Sequence, residues 1–224
     1  MDDNTTEASE AIVVDIASVS GGNGASENGT QRASITLTDN DPVPEVSLSV
    51  SPSSLSENGV GVTLTVEQDR VSSDPTVVSL SFDNSTASSG DYVDNLSSGT
   101  LTIAAGSLSA NATLTGVDDN VTEGAETIRV DISSVTGGNG ATDNATQQTI
   151  TLTDDDTASL VISADNVAVS ETGTTSTFTV KLNSEPTSNV SVSLGLNGSD
   201  EFGVSDNLSF SSSDWNTLKT VSYT

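Results

Sequence analysis

"VDDNVTEGAETIRVDISSVTGGNG", residues 117–140, is the stretch that decides the fold. It opens with acidic residues, continues with the apolar residues Ile128, Val130 and Ile132 at every second position, and ends in a glycine-rich turn. An apolar period of two predicts a β-strand with one buried face. Residues 1–24, "MDDNTTEASEAIVVDIASVSGGNG", are nearly the same sequence. Whatever structure this stretch forms, the chain therefore contains it twice.

The repeat extends beyond this stretch. "ITLTDND" (35–41) matches "ITLTDDD" (150–156), and "VSLSVSPSSLSENG" (46–59) matches "LVISADNVAVSETG" (160–173). These matches indicate a repeat unit of about 115 residues. We therefore predict three segments: the C-terminal part of one repeat in residues 1–41, a complete repeat in residues 42–156, and the N-terminal part of another in residues 157–224.

The complete repeat alternates apolar residues with Ser and Thr in seven short runs, and no long stretch has a helical period. The runs are Leu48/Val50, Val62/Leu64/Val66, Val78/Leu80/Phe82, Leu101/Ile103, Ala112/Leu114, Ile128/Val130/Ile132 and Ile150/Leu152. Short alternating strands separated by turn residues are typical of antiparallel sandwiches. The sequence predicts an all-β protein of tandem seven-stranded immunoglobulin-like β-sandwiches.

The two partial repeats are complementary in sequence. Compared with residues 111–117, Thr224 aligns with Thr115 and Met1 aligns with Val117, so the two parts meet with almost no gap. One interpretation is a stretch of a longer tandem array, whose neighbouring residues complete each half. The other is strand complementation, in which residues 157–224 of one subunit receive residues 1–41 of the next, head to tail, as an open filament.

Composition excludes several classes of function. The net charge is −27, from 32 acidic and 5 basic residues, which disfavours nucleic acids and anionic membrane surfaces. Cys and His are both absent, which removes disulfides, thiol nucleophiles, His-based triads and the usual zinc ligands. No apolar run is long enough to insert into a membrane. A carboxylate-pair hydrolase would need a cleft with aromatic walls, and aromatic residues are only 3%, so we predict no enzyme, catalytic residue or organic cofactor.

Four motifs resemble those of the Calx-β domain family: "SENG" (56–59), "SGDY" (89–92), "VDDNVTEGAE" (117–126) and "TLTDDD" (151–156). The resemblance implies a seven-stranded sandwich with Ca²⁺ bound by loops at one end. Acids that converge there need a cation or protons, and Ca²⁺ accepts six to eight oxygen ligands in irregular geometry. The alternative is that these residues are ordinary solvated loop acids.

The resemblance also implies the ligands. In the complete repeat they are Glu57, Asp91, Asp118, Asp119, Glu123, Glu126, Asp154, Asp155 and Asp156. In the split repeat the same positions are Asp2, Asp3, Glu7, Glu10, Asp39, Asp41 and Glu171. Asn40 replaces the middle Asp of the closing triplet there, so we expect that site to differ. If residues 154–156 continue as an extended strand, Asp154 and Asp156 point the same way and Asp155 faces elsewhere.

The glycine-rich "GGNG" at Gly21 and Gly137 lacks the Gly-Lys-Ser/Thr ending of a phosphate loop, which favours a flexible hairpin connection. The function that we expect is a calcium-rigidified structural repeat of a prokaryotic extracellular fibre or large adhesin at the cell surface. Its partners would be neighbouring copies of the same repeat, in the same chain or in a head-to-tail homopolymer. A ligand-binding adhesin module and a calcium-sensing regulatory domain are the alternatives.

Overall fold

A computed structural model describes residues 3–83, 85–163, 168–170, 172–195 and 206–223. The described residues form β-strands, turns and loops without a helix, and contain no helix that could cross a membrane. The strands are β1 (Glu10–Asp15), β2 (Arg32–Leu37), β3 (Glu45–Ser51), β4 (Ser54–Ser56), β5 (Val62–Gln68), β6 (Thr76–Ser81), β7 (Tyr92–Asp94), β8 (Thr100–Ile103), β9 (Ser109–Gly116), β10 (Glu126–Gly137), β11 (Thr142–Asp143), β12 (Gln148–Thr153), β13 (Leu160–Ile162), β14 (Ser176–Leu182), β15 (Val190–Val192), β16 (Leu208–Phe210) and β17 (Lys219–Tyr223).

The ten strands β3–β12 form one sandwich of two five-stranded sheets. One sheet has the order β4-β12-β10-β6-β8 and the other β11-β3-β5-β9-β7. The pairs are antiparallel except β4 with β12 and β11 with β3. Inward residues such as Leu64 and Val130 are fully buried in the core. The prediction of an all-β sandwich is confirmed.

The seven predicted runs fall on β3, β5, β6, β8, β9, β10 and β12. The prediction of seven strands missed β4, β7 and β11, which have two or three residues each and lie at sheet edges. An edge strand this short has no room for an alternating pattern, because only one or two of its residues point inward.

The two partial repeats contain strands that correspond to parts of the complete sandwich. β1 pairs with β2 in the register of β10 with β12: Ile12 faces Ile35 as Ile128 faces Ile150. The sheet β13-β14-β17 follows the order of β3-β5-β9, and β15 pairs with β16 as β6 pairs with β8. Together the two partial repeats hold the counterparts of all seven long strands. The segment boundaries themselves remain a prediction.

Short contacts connect the successive repeats. Before the sandwich, Thr6 forms a parallel bridge with Ser72, and after it, Val121 forms a parallel bridge with Glu185. The C-terminal segment has a small core of Val180, Leu182, Phe210 and Val221, against which Trp215 packs.

Candidate metal site

The predicted ligands of the complete repeat lie in loops and strand ends at one end of the sandwich. Glu57 follows β4, Asp91 precedes β7, and residues 118–123 lie in the β9–β10 loop. Glu126 opens β10, and residues 154–156 follow β12. Because β4 pairs with β12, which pairs with β10, the sheet brings these distant positions together.

Glu57 lies deepest among these acids, with 5% of its surface exposed. Its backbone N–H donates to the carbonyl of Thr153 at 3.2 Å, which extends the β4–β12 ladder by one residue. Burial, followed by the negative charges of Asp154, Asp119, Glu123 and Asp155, raises the pKa of Glu57 to about 7. The Glu57 carboxylate therefore shares its environment with acids from both the β9–β10 loop and the residues after β12.

Gly116, at the end of β9, makes the burial of Glu57 possible. A Cβ atom at this position would lie 2.6 Å from Glu57 Cα and 2.7 Å from the carbonyl oxygen of Ser56. Real Cβ contacts are never this short, so a larger residue would push the two strand ends apart. Gly116 could not be identified from the sequence, because nothing in its local pattern reveals that Glu57 lies against it.

Asp154 joins the closing acids to the acidic loop. Its Oδ2 accepts the backbone N–H of Glu123 at 2.6 Å, and its Oδ1 accepts the N–H of Asp156 at 2.8 Å. Strand β12 ends at Thr153, so residues 154–156 do not continue as an extended strand, and the side chain of Asp154 caps the N–H of Asp156 instead. Asp155 accepts a hydrogen bond from the side-chain amide of Asn58. The sequence did not indicate this contact. Burial and then Asp154 raise the pKa of Asp156, and Asp118 is among the further charges that do so.

A second group of acids surrounds Asp91. The Asp91 carboxylate accepts hydrogen bonds from the N–H and the hydroxyl of Ser88, at 2.5 and 2.9 Å. Burial, and then the charge of Asp91, raise the pKa of both Glu123 and Glu126. Glu126 Oε2 is buried and, within the part of the chain that the structure describes, has no hydrogen-bond partner. Glu123 also responds to Asp119 and Asp154, so it connects the two groups.

Asp119 is held by the loop itself, because its Oδ1 accepts the N–H of Val121 at 2.7 Å. The structure thus gathers all the predicted ligands of the complete repeat at one end, close enough to raise the pKa of several members. Across the described ranges, no three of these carboxylates already stand in the arrangement of a bound ion. That they are ligands therefore remains a prediction. Their chemistry fits a hard divalent cation, since the donors are all oxygens and one of them is buried without a partner.

The N-terminal segment repeats this scaffold. Asp39 Oδ2 accepts the N–H of Glu7 at 2.8 Å, Asp39 Oδ1 accepts the N–H of Asp41 at 3.2 Å, and Asp3 Oδ1 accepts the N–H of Thr5 at 2.8 Å. These match the bonds of Asp154 and Asp119 position for position. The bond from the N–H of Glu7 is the main cause that lowers the pKa of Asp39. The four acids line a cavity of about 300 Å³.

Of the remaining predicted ligands of the split repeat, the structure describes Glu10, which does not line this cavity. Glu10 is exposed at the start of β1, whereas its counterpart Glu126 is partly buried. Asp2 and Glu171 lie outside the described residues. The counterparts of Glu57 and Asp91 would come from residues 157–224. Residues 3–41 contain counterparts of five of the nine acids that the complete repeat brings together: Asp3, Glu7, Glu10, Asp39 and Asp41.

Comparison with protein families agrees with the motifs. The family model described as "Calx-beta domain" matches residues 39–156 and 153–203. Among solved structures, the apo-form Calx CBD1 domain is 18% identical with a TM-score of 0.41, over 51% of this chain and 100% of that chain. CBD12 from CALX1.2 is 18% identical with a TM-score of 0.42, over 80% of this chain and 75% of that chain. The calcium binding domain CBD12 of CALX1.1 is 16% identical with a TM-score of 0.41, over 78% and 74%. A search of curated proteins finds no match.

Proposed function

We propose, from the premise that this chain belongs to the Calx-β domain family, that it is a calcium-stabilised structural repeat. The repeat would act as a spacer in a fibre or large adhesin on a prokaryotic cell surface. The observation that carries this proposal is the gathering of acids at one end of the complete sandwich, with Glu57 and an oxygen of Glu126 buried among them. Such a group is unstable at neutral pH unless a cation or protons neutralise it.

Calcium would be held by carboxylates from separate elements of the sandwich. Glu57 and Asp91 would contribute from the two sheets, Asp119 and Glu123 from the β9–β10 loop, and Glu126 from β10. The ion neutralises the converging charges and so links loops that otherwise repel one another. The resulting stability grows with the concentration of free calcium, as for any ligand that binds only the folded state.

The same loop also contacts the following repeat, and this supports a role as a stiff spacer. The carbonyl of Asn120 accepts the N–H of Glu185 at 2.6 Å, and the hydroxyl of Thr122 lies 2.8 Å from that of Ser184. A cation bound by Asp119 and Glu123 would fix the residues on both sides of this contact. Calcium would then restrict the angle between successive repeats as well as the loop itself.

Neighbouring copies would complete the partial repeats by strand complementation. Ile12 and Ile35 are 49% and 60% exposed, while their counterparts Ile128 and Ile150 are fully buried. In the C-terminal segment, Leu160 is 45% exposed and its counterpart Val46 is fully buried. Each segment leaves uncovered the apolar face that the other would cover, and burial of these side chains favours their association.

The free edge of β15 is where the incoming strands would add. β6 lies between β8 and β10, whereas β15 pairs only with β16 among the described strands. A cavity of about 560 Å³ lies along β15, lined in part by Leu160, Leu182, Val190 and Val192. β1 is the counterpart of β10, and its apolar side chains would fill this cavity. The addition of one chain's strands to another's sheet repeats at each end and therefore gives a filament.

Particle size tests both parts of the proposal. We would measure light scattering of the 224-residue chain against protein concentration, in millimolar CaCl₂ and in excess chelator. Long particles that form with calcium and dissolve in chelator are expected. Calorimetric titration of the same protein should give a dissociation constant of about 0.1–1 mM, the range of extracellular calcium modules. Absence of calcium binding would contradict the proposed function, and micromolar affinity would favour the sensor alternative.

A further inference from the structure

We call the contact between Thr6 and residues 71–73 the joint before the complete repeat. A side chain that has no part in the proposed function forms hydrogen bonds across it. Thr6, from the acidic loop of the preceding partial repeat, is 2% exposed. Its N–H donates to the carbonyl of Val71 at 3.1 Å, and its carbonyl accepts the N–H of Ser73 at 3.0 Å. The side-chain amide of Asn139 lies 2.7 Å from the same carbonyl and 3.0 Å from the hydroxyls of Ser72 and Ser73. Asn139 thus fastens the acidic loop of one repeat to the next repeat.

Asn139 belongs to the glycine-rich loop Gly137–Gly140, and the glycines are what bring it to this position. A Cβ atom at Gly137 would lie 2.3 Å from the carbonyl oxygen of Pro75, and one at Gly138 would lie 2.3 Å from Thr76 Oγ1. Asn139 itself has φ of 53°, which Asn tolerates better than most residues. The loop connects β10 to β11 in the opposite sheet, so it is a packed crossover and not the flexible hairpin connection predicted from the sequence.

The loop Gly21–Gly24 has the same backbone conformation, but its Asn23 connects no two repeats within the described part of the chain. Asn23 has φ of 57°, and Gly24 donates to the carbonyl of Gly21 as Gly140 donates to that of Gly137. Asn23 is exposed, and a Cβ atom at Gly21 or Gly24 would meet none of the described atoms within 4 Å. The loop therefore has the shape of the closed joint before it has a partner.

The joint after the complete repeat has the same register and lacks this loop. "TLTV" (63–66) and "VSL" (78–80) are spaced like "TFTV" (177–180) and "VSL" (192–194). By this spacing, the bridge of Val121 with Glu185 occupies the positions of Thr5 and Val71, one step before the bridge of Thr6 with Ser72. Residues 157–224 contain no Gly-Gly-Asn-Gly sequence, and Thr122, the counterpart of Thr6, is only partly buried.

We propose that Asn23 of one chain fastens this second joint in a neighbouring chain. Its amide would donate to the carbonyl of Thr122 and to the hydroxyl of Thr187, the counterpart of Ser73. The partner is a second copy of this chain, and the inference rests on the strand exchange of the proposed function. Gly137 pairs with Thr76 at the end of β10, so an incoming β1 in the same register places Gly21 beside Val190, next to Thr122 along the β15 cavity.

The consequence is that assembly and stiffening are one event. The strands of the incoming chain complete the sandwich, and its Asn23 fastens that sandwich to the complete repeat of the receiving chain. Thr122 of the receiving chain would become as buried as Thr6 is now. A filament built this way gains a fastened joint with every subunit that is added.

The test is the substitution Asn23→Gly in the full chain, with Asn28→Gly as the matched control. Glycine tolerates the positive φ and removes only the amide, and Asn28 is another exposed Asn between the same two strands. We would measure the association constant by sedimentation in millimolar CaCl₂. Loss of the amide contacts should weaken association about tenfold, with Asn28→Gly unchanged. Asn23→Asp, which keeps the shape and removes the donor, should behave like Asn23→Gly.

Hydrogen exchange of the Thr187 amide provides a structural readout. Assembly should protect this amide as Ser73 is protected by the carbonyl of Thr6, and Asn23→Gly should reduce the protection. If the wild-type chain assembles and Asn23→Gly associates equally well, the fastening is overturned and strand exchange stands. If the wild-type chain stays monomeric at every concentration with calcium, strand exchange and the fastening both fail.

Discussion

At the scale of single residues, Glu57 connects stability with calcium. Its carboxylate is buried beside Asp154 and Asp119, and its pKa is raised to about 7. Above that pH the folded protein contains a buried charge that faces like charges. The same charge is what a cation would bind, so one side chain opposes folding without calcium and supports binding with it.

We predict that Glu57→Gln has opposite effects in the two conditions. In chelator at pH 8, the variant should melt ~2–4 °C above the wild type, because it removes a repelling charge and keeps the volume. In calcium, its affinity should fall about tenfold or more. Thermal unfolding and calorimetric titration measure the two effects. Glu67→Gln, on the exposed face of β5, is the control and should change neither the melting temperature nor the calcium affinity. A lower melting temperature for Glu57→Gln in chelator would contradict the prediction.

Asp214 shows the opposite electrostatic situation, since it faces a cation. Lys219 Nζ lies 2.6 Å from its Oδ2 and 4.6 Å from the centre of the Phe210 ring. The hydrogen bond from Lys219, together with those from Ser211, lowers the pKa of Asp214 from 3.8 to about 2. Because the folded-state pKa is depressed, the stabilisation is present above pH 3.8 and is lost as the pH falls towards 2.

We therefore predict that the Asp214 carboxyl titrates near pH 2 in the folded protein, as measured by NMR. Lys219→Met keeps the apolar stem over Phe210 and removes the charge, so it should raise the midpoint towards 3.8. Lys181→Met, on the neighbouring strand β14, is the control and should leave the midpoint near 2. A midpoint of 3.8 in the wild-type protein would show that the ion pair does not persist in solution.

At the scale of strands, equal sequences have unequal burial, and this provides a matched pair of substitutions. Ile128 in β10 is fully buried, and Ile12 in β1 occupies the same position at 49% exposure. Ile128→Ala should destabilise the folded chain by ~2–5 kcal/mol, because it leaves a cavity in the core. Ile12→Ala should leave unfolding of the monomer almost unchanged and weaken assembly. Urea unfolding of the monomer and sedimentation of the assembled chain separate the two effects. Equal effects of both substitutions on unfolding of the monomer would contradict complementation in trans.

The strands also show how much of the fold and of the candidate site the sequence predicts. The alternating runs predicted every long strand of the complete repeat, because period and burial coincide there. The edge strands β4, β7 and β11 are too short for such a pattern. The order of the acidic motifs predicted which carboxylates gather. It did not predict that Asp154 accepts a hydrogen bond from the backbone N–H of Glu123 and so holds the β9–β10 loop. The role of Asn139 could not be predicted either, since its partner Thr6 lies 133 residues away and belongs to another repeat.

At the scale of the whole molecule, the net charge of −27 opposes compaction everywhere, while the acids of the candidate site oppose it at one place. Added salt screens the first effect, because the Debye length falls to about 3 Å at 1 M. Salt cannot replace an ion that is bound by several carboxylates at once. The two contributions can therefore be separated in one experiment.

We predict that millimolar CaCl₂ stabilises the chain more than NaCl at any concentration up to 1 M. Calcium should raise the melting temperature with saturation, and the rise should persist in 0.5 M NaCl, because a buried site is screened less than the surface. MgCl₂ should be less effective, since magnesium releases its water reluctantly. In Glu126→Gln the calcium effect should shrink while the NaCl effect remains. If NaCl matches calcium in the wild type, the acids act only as surface charge, and the stiff spacer loses its physical basis.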